Sequence, residues 1–273
     1  MGKPLNHSLS PKIHNTVFRQ AGINAIYLSF PVAPSRVGAA VAGIQALNIS
    51  GVNVTIPHKE AVFEYLDQLD DAARDIGAVN TISLRGGRLY GFNTDWSGFI
   101  DSLEHHKLAL TGCRIVLLGS GGSAKAILYA LGEKNCKEIE LFNRTIEKAA
   151  AAAKHFSRLF PQSRFKACSL EDFFQDEKQQ QPTMIIDTLP AAIAFEPPPW
   201  LIKNNSPVTY YTINYGTAAA LKKVPSGWTR IDGLEMLIRQ AMYSFLIWMG
   251  DRFTLGEAEN LYGKVYEDIQ SQT

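Results

Sequence analysis

Two kinds of group in this chain can do chemistry: backbone N–H groups bared by glycines, and short polar runs set where regular elements end. Gly119-Ser120-Gly121-Gly122-Ser123 follows the apolar run Arg114–Leu118 and opens an alanine-rich helical pattern. A glycine turn leading into a helix presents unpaired N–H groups at the positive end of the helix dipole, and together these bind a pyrophosphate. An ordinary tight turn uses the same glycines, and the spacing differs from the commonest dinucleotide fingerprint. The strand pattern before it and the helix pattern after it favour the phosphate. At the end of the next strand, about 20 residues on, an NAD site carries an acid on the ribose hydroxyls. Here stand Asn143-Arg144-Thr145, with Lys148 one turn further. A guanidinium at that point favours a 2′-phosphate, hence NADP over NAD; a solvated arginine at a helix start is the competing reading.

Three polar clusters sit at element ends in the first hundred residues. His7-Ser8-Leu9-Ser10-Pro11 sets two hydroxyls before a helix, and Asn53-Val54-Thr55-Ile56-Pro57-His58-Lys59 sets a hydroxyl and an amine at a strand-to-helix turn. Asn93-Thr94-Asp95 sets a carboxylate after a hairpin. Taken singly, Ser10 and Asp95 read as helix caps and Lys59 as a solvated first-turn residue, and a cap is expected of Ser10 in any case. Taken together they lie where open α/β sheets bind ligands, beyond the ends of strands. The six histidines, His7, His14, His58, His105, His106 and His155, show no metal-ligand spacing.

The elements that position these groups follow from pattern. A helix is expected over Pro11–Gln20, a strand over Ala25–Val32, a helix over Ser35–Leu47, a strand over Gly51–Pro57 and a helix begun by His58. Val79–Leu84 and Arg88–Phe92 flank Gly86-Gly87, the strongest hairpin signal in the chain. This is an α/β unit with a mixed sheet. From Thr111-Gly112 the order becomes strand Arg114–Leu118, glycine turn, helix, strand Glu138–Phe142, a βαβ crossover that implies a parallel sheet. Further strands are expected at Met184–Asp187 and Tyr210–Asn214, and two helices from Gly233 onward.

Composition narrows the partners. The 273 residues are 46% hydrophobic, enough for one large or two moderate cores. Lys+Arg 27 against Asp+Glu 26 gives a net charge of +1, without the basic excess that nucleic acid or anionic lipid requires. No apolar run approaches the ~20 residues of a membrane span, and the first residues contain no apolar leader segment. Cys113, Cys136 and Cys168 are an odd, unpaired set, which fits free thiols in the cytoplasm.

Five motifs, in order, resemble shikimate dehydrogenase: Gly2-x-Pro4-x-x-His7-Ser8-x-Ser10-Pro11-x-x-His14-Asn15; Asn53-Val-Thr-x-Pro-x-Lys59; Gly77-Ala-Val-Asn80-Thr81; Gly91-x-Asn93-Thr94-Asp95; and Gly233-Leu-x-Met-Leu-x-x-Gln240-Ala241. The resemblance spans nearly the whole chain. It implies a mixed-sheet α/β substrate domain, residues 1–96 completed by helices in 233–273, and a Rossmann-like NADP-binding domain, residues 97–232. It implies reversible hydride transfer between NADPH and 3-dehydroshikimate, with quinate as the related alternative. A ligand-binding homologue with impaired chemistry is the alternative from another class. Matched position by position, Ser8, Ser10, Thr55, Asn80, Tyr215 and Gln240 are the implied substrate contacts and Lys59 and Asp95 the implied catalytic pair. On the cofactor side the matches are Gly119, Ser120, Gly121, Gly122, Ser123, Asn143, Arg144, Thr145, Lys148, Ile213 and Gly233, with Asp71 a weaker one. The implied partners are a small-molecule substrate and a second copy of the chain or a fused dehydroquinase domain.

Some positions depart from the family pattern. Asp187-Thr188-Leu189-Pro190-Ala191 replaces an Asn-Ala-Thr run, Thr212 replaces an aspartate, and Thr217 and Ala220 replace a proline and a threonine. All lie toward the nicotinamide end, so cofactor affinity and turnover are expected to be less secure than substrate recognition. The family also runs a hydrophobic strand into the Gly-x-Pro turn, where only Met1 precedes Gly2. The expectation is that the natural polypeptide extends upstream and that the chain without that strand is less stable and less active.

Overall fold

The computed structural model describes every residue except 7, 176–179, 194, 204–206, 220, 272 and 273, and the side chain of 222. His7 and Ala220, both singled out above, lie outside the described residues. The chain forms two compact units, Met1–Asp101 with Leu237–Thr273, and Ser102–Met236.

In the first unit, α1 (Ser10–Gln20) buries Ile13, His14, Val17 and Phe18, a spacing that a 3.6-residue period gathers on one face. Helix α2 (Val37–Ala46) buries Val37, Val41 and Ile44 in the same way. Short strands β1 (Gly51–Asn53) and β2 (Gln68–Leu69) are followed by α3 (Asp71–Ile76) and by the hairpin β3 (Thr81–Arg85) and β4 (Arg88–Phe92). The sheet order is β1-β3-β4-β2, with β2–β4 parallel and the other pairs antiparallel, so this sheet is mixed. Val41, Ile44, Val52, Val54, Val62, Val79, Ile82 and Leu89 fill the space between sheet and helices. Each fully buried side chain of this size contributes ~1.5–3 kcal/mol. Helix α4 (Asp95–His105) begins directly after the hairpin.

Four expectations for this unit are corrected. Ser10 is not the cap of α1: Leu9 holds that position without a side-chain bond, and Ser8 Oγ accepts the Ser10 N–H at 3.4 Å. Ala25–Val32 does not form a strand. A strand needs a ladder, and this stretch has one rung, with Gly2 N–H donating to the Phe30 carbonyl and Val32 N–H to the Gly2 carbonyl. Asn15 takes both backbone groups of Tyr27 with its side-chain amide, and Ile26, Leu28 and Phe30 stay exposed. The helix expected from His58 stops after turns, because the Lys59 carbonyl accepts from Val79 N–H at 2.8 Å and is lost to a helical ladder. For the same reason of pairing, β1 ends at Asn53 rather than at Pro57.

The second unit carries β5 (Arg114–Leu118), α5 (Gly122–Glu133), β6 (Glu138–Asn143), α6 (Ile146–Leu159), β7 (Arg164–Ser169), α7 (Leu170–Gln175), β8 (Met184–Asp187), α8 (Pro199–Lys203), β9 (Thr209–Thr212) and β10 (Thr229–Ile231). All pairs are parallel, in the order β10-β9-β8-β5-β6-β7. Strand order therefore reverses between β5 and β8, the crevice where such sheets bind ligands. Apart from Arg114 at the start of β5 and Asp187 at the end of β8, these two strands are apolar because they are buried on both faces. The chain ends in α9 (Leu234–Met249) and α10 (Leu255–Gln270), the latter opened by a reciprocal Thr254/Glu257 capping box. Its Tyr262 hydroxyl meets His14 Nδ1 of α1 at 2.9 Å. Among the described residues no helix is long and apolar enough to cross a membrane.

Candidate active site

Lys59 and Asp95 come together from segments 36 residues apart. Lys59 Nζ lies 2.5 Å from Asp95 Oδ2, and the two side chains are 13% and 7% exposed. Each is fixed through its neighbours. Val79 N–H ties the Lys59 backbone to the chain entering β3, and Asn93 Oδ1 accepts the Asp95 N–H at 3.1 Å, capping α4. Asn80, just before β3, donates from Nδ2 to Asp95 Oδ1 at 2.8 Å and to Gln240 Oε1 at 3.3 Å. Four predicted residues, Lys59, Asp95, Asn80 and Gln240, thus form one hydrogen-bonded cluster.

The remaining substrate-side residues are placed less centrally. Ser8, Ser10 and Thr55 are half-buried in the same unit, and Ser10 is within hydrogen-bonding reach of the Tyr27 hydroxyl. Tyr215 is half-buried in the second unit, after β9. Asp71 sits in the first turn of α3, exposed and paired with Arg74 at 2.6 Å, outside the cluster. Reading by motif left four buried or half-buried partners without a role: Asn53, Thr81, Thr94 and Ser244. The signal for Ser244 was its spacing, four residues after Gln240 and so on the same face of α9.

In the second unit the glycine turn has the geometry of a phosphate cradle. Gly119 has φ +104°, and a Cβ there would stand 2.4 Å from the Thr188 hydroxyl oxygen. Helix α5 starts at Gly122 with Gly121 as N-cap; no side-chain hydrogen bond from that cap and no acid occupies its first turn. A Cβ on Gly121 would meet nothing within 4 Å, so the space beside this helix start is open. Ser120 is buried and Ser123 half-buried. Arg144, Thr145 and Lys148 are exposed at the start of α6, and among the described residues neither Arg144 nor Lys148 has an ion-pair partner. Asn143 Nδ2 donates to the Thr145 carbonyl at 2.8 Å and shapes this turn. Open helix N–H groups for a pyrophosphate and unpaired cations for a 2′-phosphate fit NADP.

At the ends of β8 and β9, Ile213 N–H donates to the Asp187 carbonyl at 3.0 Å and Gly233 N–H to the Asn214 carbonyl at 2.8 Å. A Cβ on Gly233 would lie 2.2 Å from the Ile213 carbonyl oxygen, so only glycine fits this approach. The departures found in the sequence are built into this region. Asp187 accepts from the Tyr210 hydroxyl at 2.7 Å and from Leu189 N–H at 2.9 Å, and burial holds its carboxyl above the usual range. Thr212 is buried and accepts from Asn214 N–H at 3.2 Å. Thr217 lies exposed in a short 3₁₀ turn.

Residues 1–82 match the family model described as the shikimate dehydrogenase substrate binding domain, and residues 102–187 match shikimate / quinate 5-dehydrogenase. A shikimate dehydrogenase (NADP(+)) from Caldanaerobacter subterraneus subsp. tengcongensis is 38% identical over 265 residues, 93% of this chain and 91% of that protein. The chain belongs to the shikimate dehydrogenase family. Among solved structures, the shikimate dehydrogenase from Aquifex aeolicus superposes with a TM-score of 0.78 at 35% identity, covering 95% of this chain and 94% of that one. The ligand-free 5-ketofructose reductase of Gluconobacter sp. strain CHM43 gives 0.75 at 28% identity, covering 97% and 96%. The mixed sheet and the six-stranded parallel sheet are those of the two-domain shikimate dehydrogenase fold, with its Rossmann-like NADP-binding domain.

Proposed function

We propose that this chain reversibly reduces 3-dehydroshikimate to shikimate with NADPH, the first unit taking the substrate and the second the cofactor. The observation that carries the reading is the Lys59–Asp95 pair, nearly closed to water and bonded to the amide of Asn80. Hydride arriving at a ketone carbon leaves negative charge on oxygen, so a fixed cation that also donates a proton lowers the barrier. Lys59 has both properties, and Asp95 orients its ammonium. NADP, when bound, supplies or accepts the hydride. Ser8, Ser10, Thr55, Asn80, Tyr215 and Gln240 contribute hydroxyls and amides suited to a carboxylate ring bearing several hydroxyls. Such a site rejects an analogue that leaves its polar groups unpaired.

Quinate or another polyhydroxy ketone is the second reading, favoured by the shikimate / quinate match and by the likeness to 5-ketofructose reductase. The Ser8-x-Ser10 pair favours shikimate. A binding protein without chemistry does not explain why the Lys59–Asp95 pair is intact. The test is a comparison of initial rates with shikimate, quinate and 5-ketofructose, each with the matching redox state of NADP. The expected kcat/KM for shikimate is ~10-fold or more above the others, the scale of one well-placed polar contact. A faster rate with quinate or 5-ketofructose overturns the substrate assignment.

Gly119 to Ser123, Asn143 to Lys148, Ile213, Gly233 and, by resemblance, Asp71 are the residues assigned to NADP. Arg144→Ala should raise KM for NADPH by about 10- to 100-fold, the equivalent of one lost charge-assisted hydrogen bond of ~1.5–3 kcal/mol. KM for NADH should stay within about twofold, since NADH lacks the phosphate. Steady-state titration of both cofactors checks this, and equal losses would remove Arg144 from the 2′-phosphate site. The free thiols of Cys113, Cys136 and Cys168 suit a cytoplasmic setting. A second copy of the chain or a joined dehydroquinase domain is the macromolecular partner this reading carries.

A further inference from the structure

The Asn80 amide has two faces, and only its N–H face can serve Asp95. Its Nδ2 donates to Asp95 Oδ1 at 2.8 Å, while its Oδ1 accepts from Thr94 N–H at 2.8 Å and from the Thr81 hydroxyl at 2.9 Å. Thr81 has one hydroxyl proton. With that proton directed at Asn80, Thr81 Oγ1 is left to accept, and the groups around it suit that role: Asn53 Nδ2 at 3.1 Å and Ser244 Oγ at 2.8 Å. Ser244 also accepts from Asn53 Nδ2 at 2.9 Å; its one proton is directed at Thr81, and the Gln240 carbonyl, 3.0 Å away, keeps the Thr94 hydroxyl as its donor. At the far end the Tyr27 hydroxyl donates to Asn53 Oδ1 at 3.0 Å, which sets the direction of the Asn53 amide. The donors therefore run one way, from Tyr27 through Asn53 and Thr81 to Asn80, and end on the Asp95 carboxylate. Asn80, Thr81 and Ser244 are at most 1% exposed, so water does not replace a missing donor.

We propose that Thr81, oriented by Ser244 and Asn53, is a positioning residue for the Lys59–Asp95 pair. Its proton holds Asn80 with the N–H face toward Asp95, and Asp95 is thereby held where it orients the Lys59 ammonium. Removing that proton at constant volume leaves Asn80 with one fewer donor and turns a methyl toward Asn53 and Ser244. The effect on turnover rests on the reaction proposed above; the effect on Lys59 itself does not.

Thr81→Val and Thr81→Ser test this in the full chain by two measurements. With saturating shikimate and NADP+, Thr81→Val should lower kcat about tenfold, the scale of one buried hydrogen bond, with KM moved less than about threefold. Thr81→Ser should return kcat to within about twofold of the parent, because it restores the proton but not the methyl. Without substrate or cofactor, the rate of reductive methylation of Lys59 Nζ, followed by peptide mass spectrometry, should rise several-fold in Thr81→Val and stay unchanged in Thr81→Ser. If the parent does not turn over shikimate, the proposed reaction fails while the methylation rates still decide the role of Thr81. If Thr81→Val does not fold, Ser244→Ala should give the same two changes at smaller size. Parent-like kcat and methylation in a folded Thr81→Val, or in Ser244→Ala where it stands in, overturns the proposal. A serine variant as impaired as the valine one does so too.

Discussion

Lys59→Ala is expected to lower kcat by about 10²- to 10⁴-fold, the range contributed by a positioned proton donor, while KM for shikimate moves much less. The asymmetry follows from when the amine acts: a neutral ketone takes little from a cation, and the developing oxyanion takes much. Burial strengthens the effect, since Lys59 is 13% exposed and competing water is scarce. The substitution also leaves Asp95 without its cation, and stranding one member of a buried pair costs about 3–5 kcal/mol. Thermal unfolding must therefore be measured beside the rates. Asp95→Asn should lower kcat similarly with the fold retained, because an amide cannot accept from both Lys59 and Asn80 as the carboxylate does. A folded Lys59→Ala with parent-like kcat would contradict the assigned role.

The second large effect is on stability in acid. His14 is fully buried on α1, stacked on Tyr27 at 4.6 Å between ring centroids, with Nδ1 bonded to Tyr262. Among the described residues its Nε2 makes no hydrogen bond, and burial outweighs the support that the Asn53 side chain gives the charged ring. Burial lowers its pKa from 6.5 to about 3. The unfolded chain then binds more protons than the folded one between those values, and stability falls as pH falls. The slope approaches ~1.4 kcal/mol per pH unit, and about 5 kcal/mol is lost by pH 3, a large share of the ~5–15 kcal/mol typical of a domain. Urea unfolding at pH 7, 6, 5 and 4 should show this decline beginning near pH 6.5. His14→Gln, which keeps an acceptor for the Tyr262 hydroxyl, should be less stable at pH 7 and flatter between pH 6.5 and 4.5. Parallel curves for the two proteins would remove His14 as the cause.

Legibility in the sequence depended on how local the deciding contact is. Strands Arg114–Leu118 and Met184–Asp187 were readable to the residue because burial on both faces leaves apolar runs at 115–118 and 184–186. The hairpin around Gly86-Gly87 was readable because its turn chemistry is local. Ala25–Val32 has the composition of a strand, yet pairing decides strands and only Gly2 pairs with it. The helix expected at His58 was ended by a bond from Val79, twenty residues downstream of Lys59. The candidate site shows the same division. The glycine turn and Arg144 stood out from local pattern, whereas the meeting of Lys59 with Asp95 came from resemblance, since no spacing rule joins them. The Asn53–Ser244 and Thr81–Ser244 bonds span 191 and 163 residues and became visible only in the fold.

The most direct test of the central claim is a single-turnover measurement on the purified chain. Protein in excess is mixed with NADPH and 3-dehydroshikimate, and NADPH absorbance is followed while shikimate is quantified. Loss of NADPH with shikimate formed in equal amount is expected, and a loss at least about a hundredfold slower in Lys59→Ala. NADPH left unoxidised by the folded parent protein, or oxidised at the same rate in both proteins, would contradict the central claim.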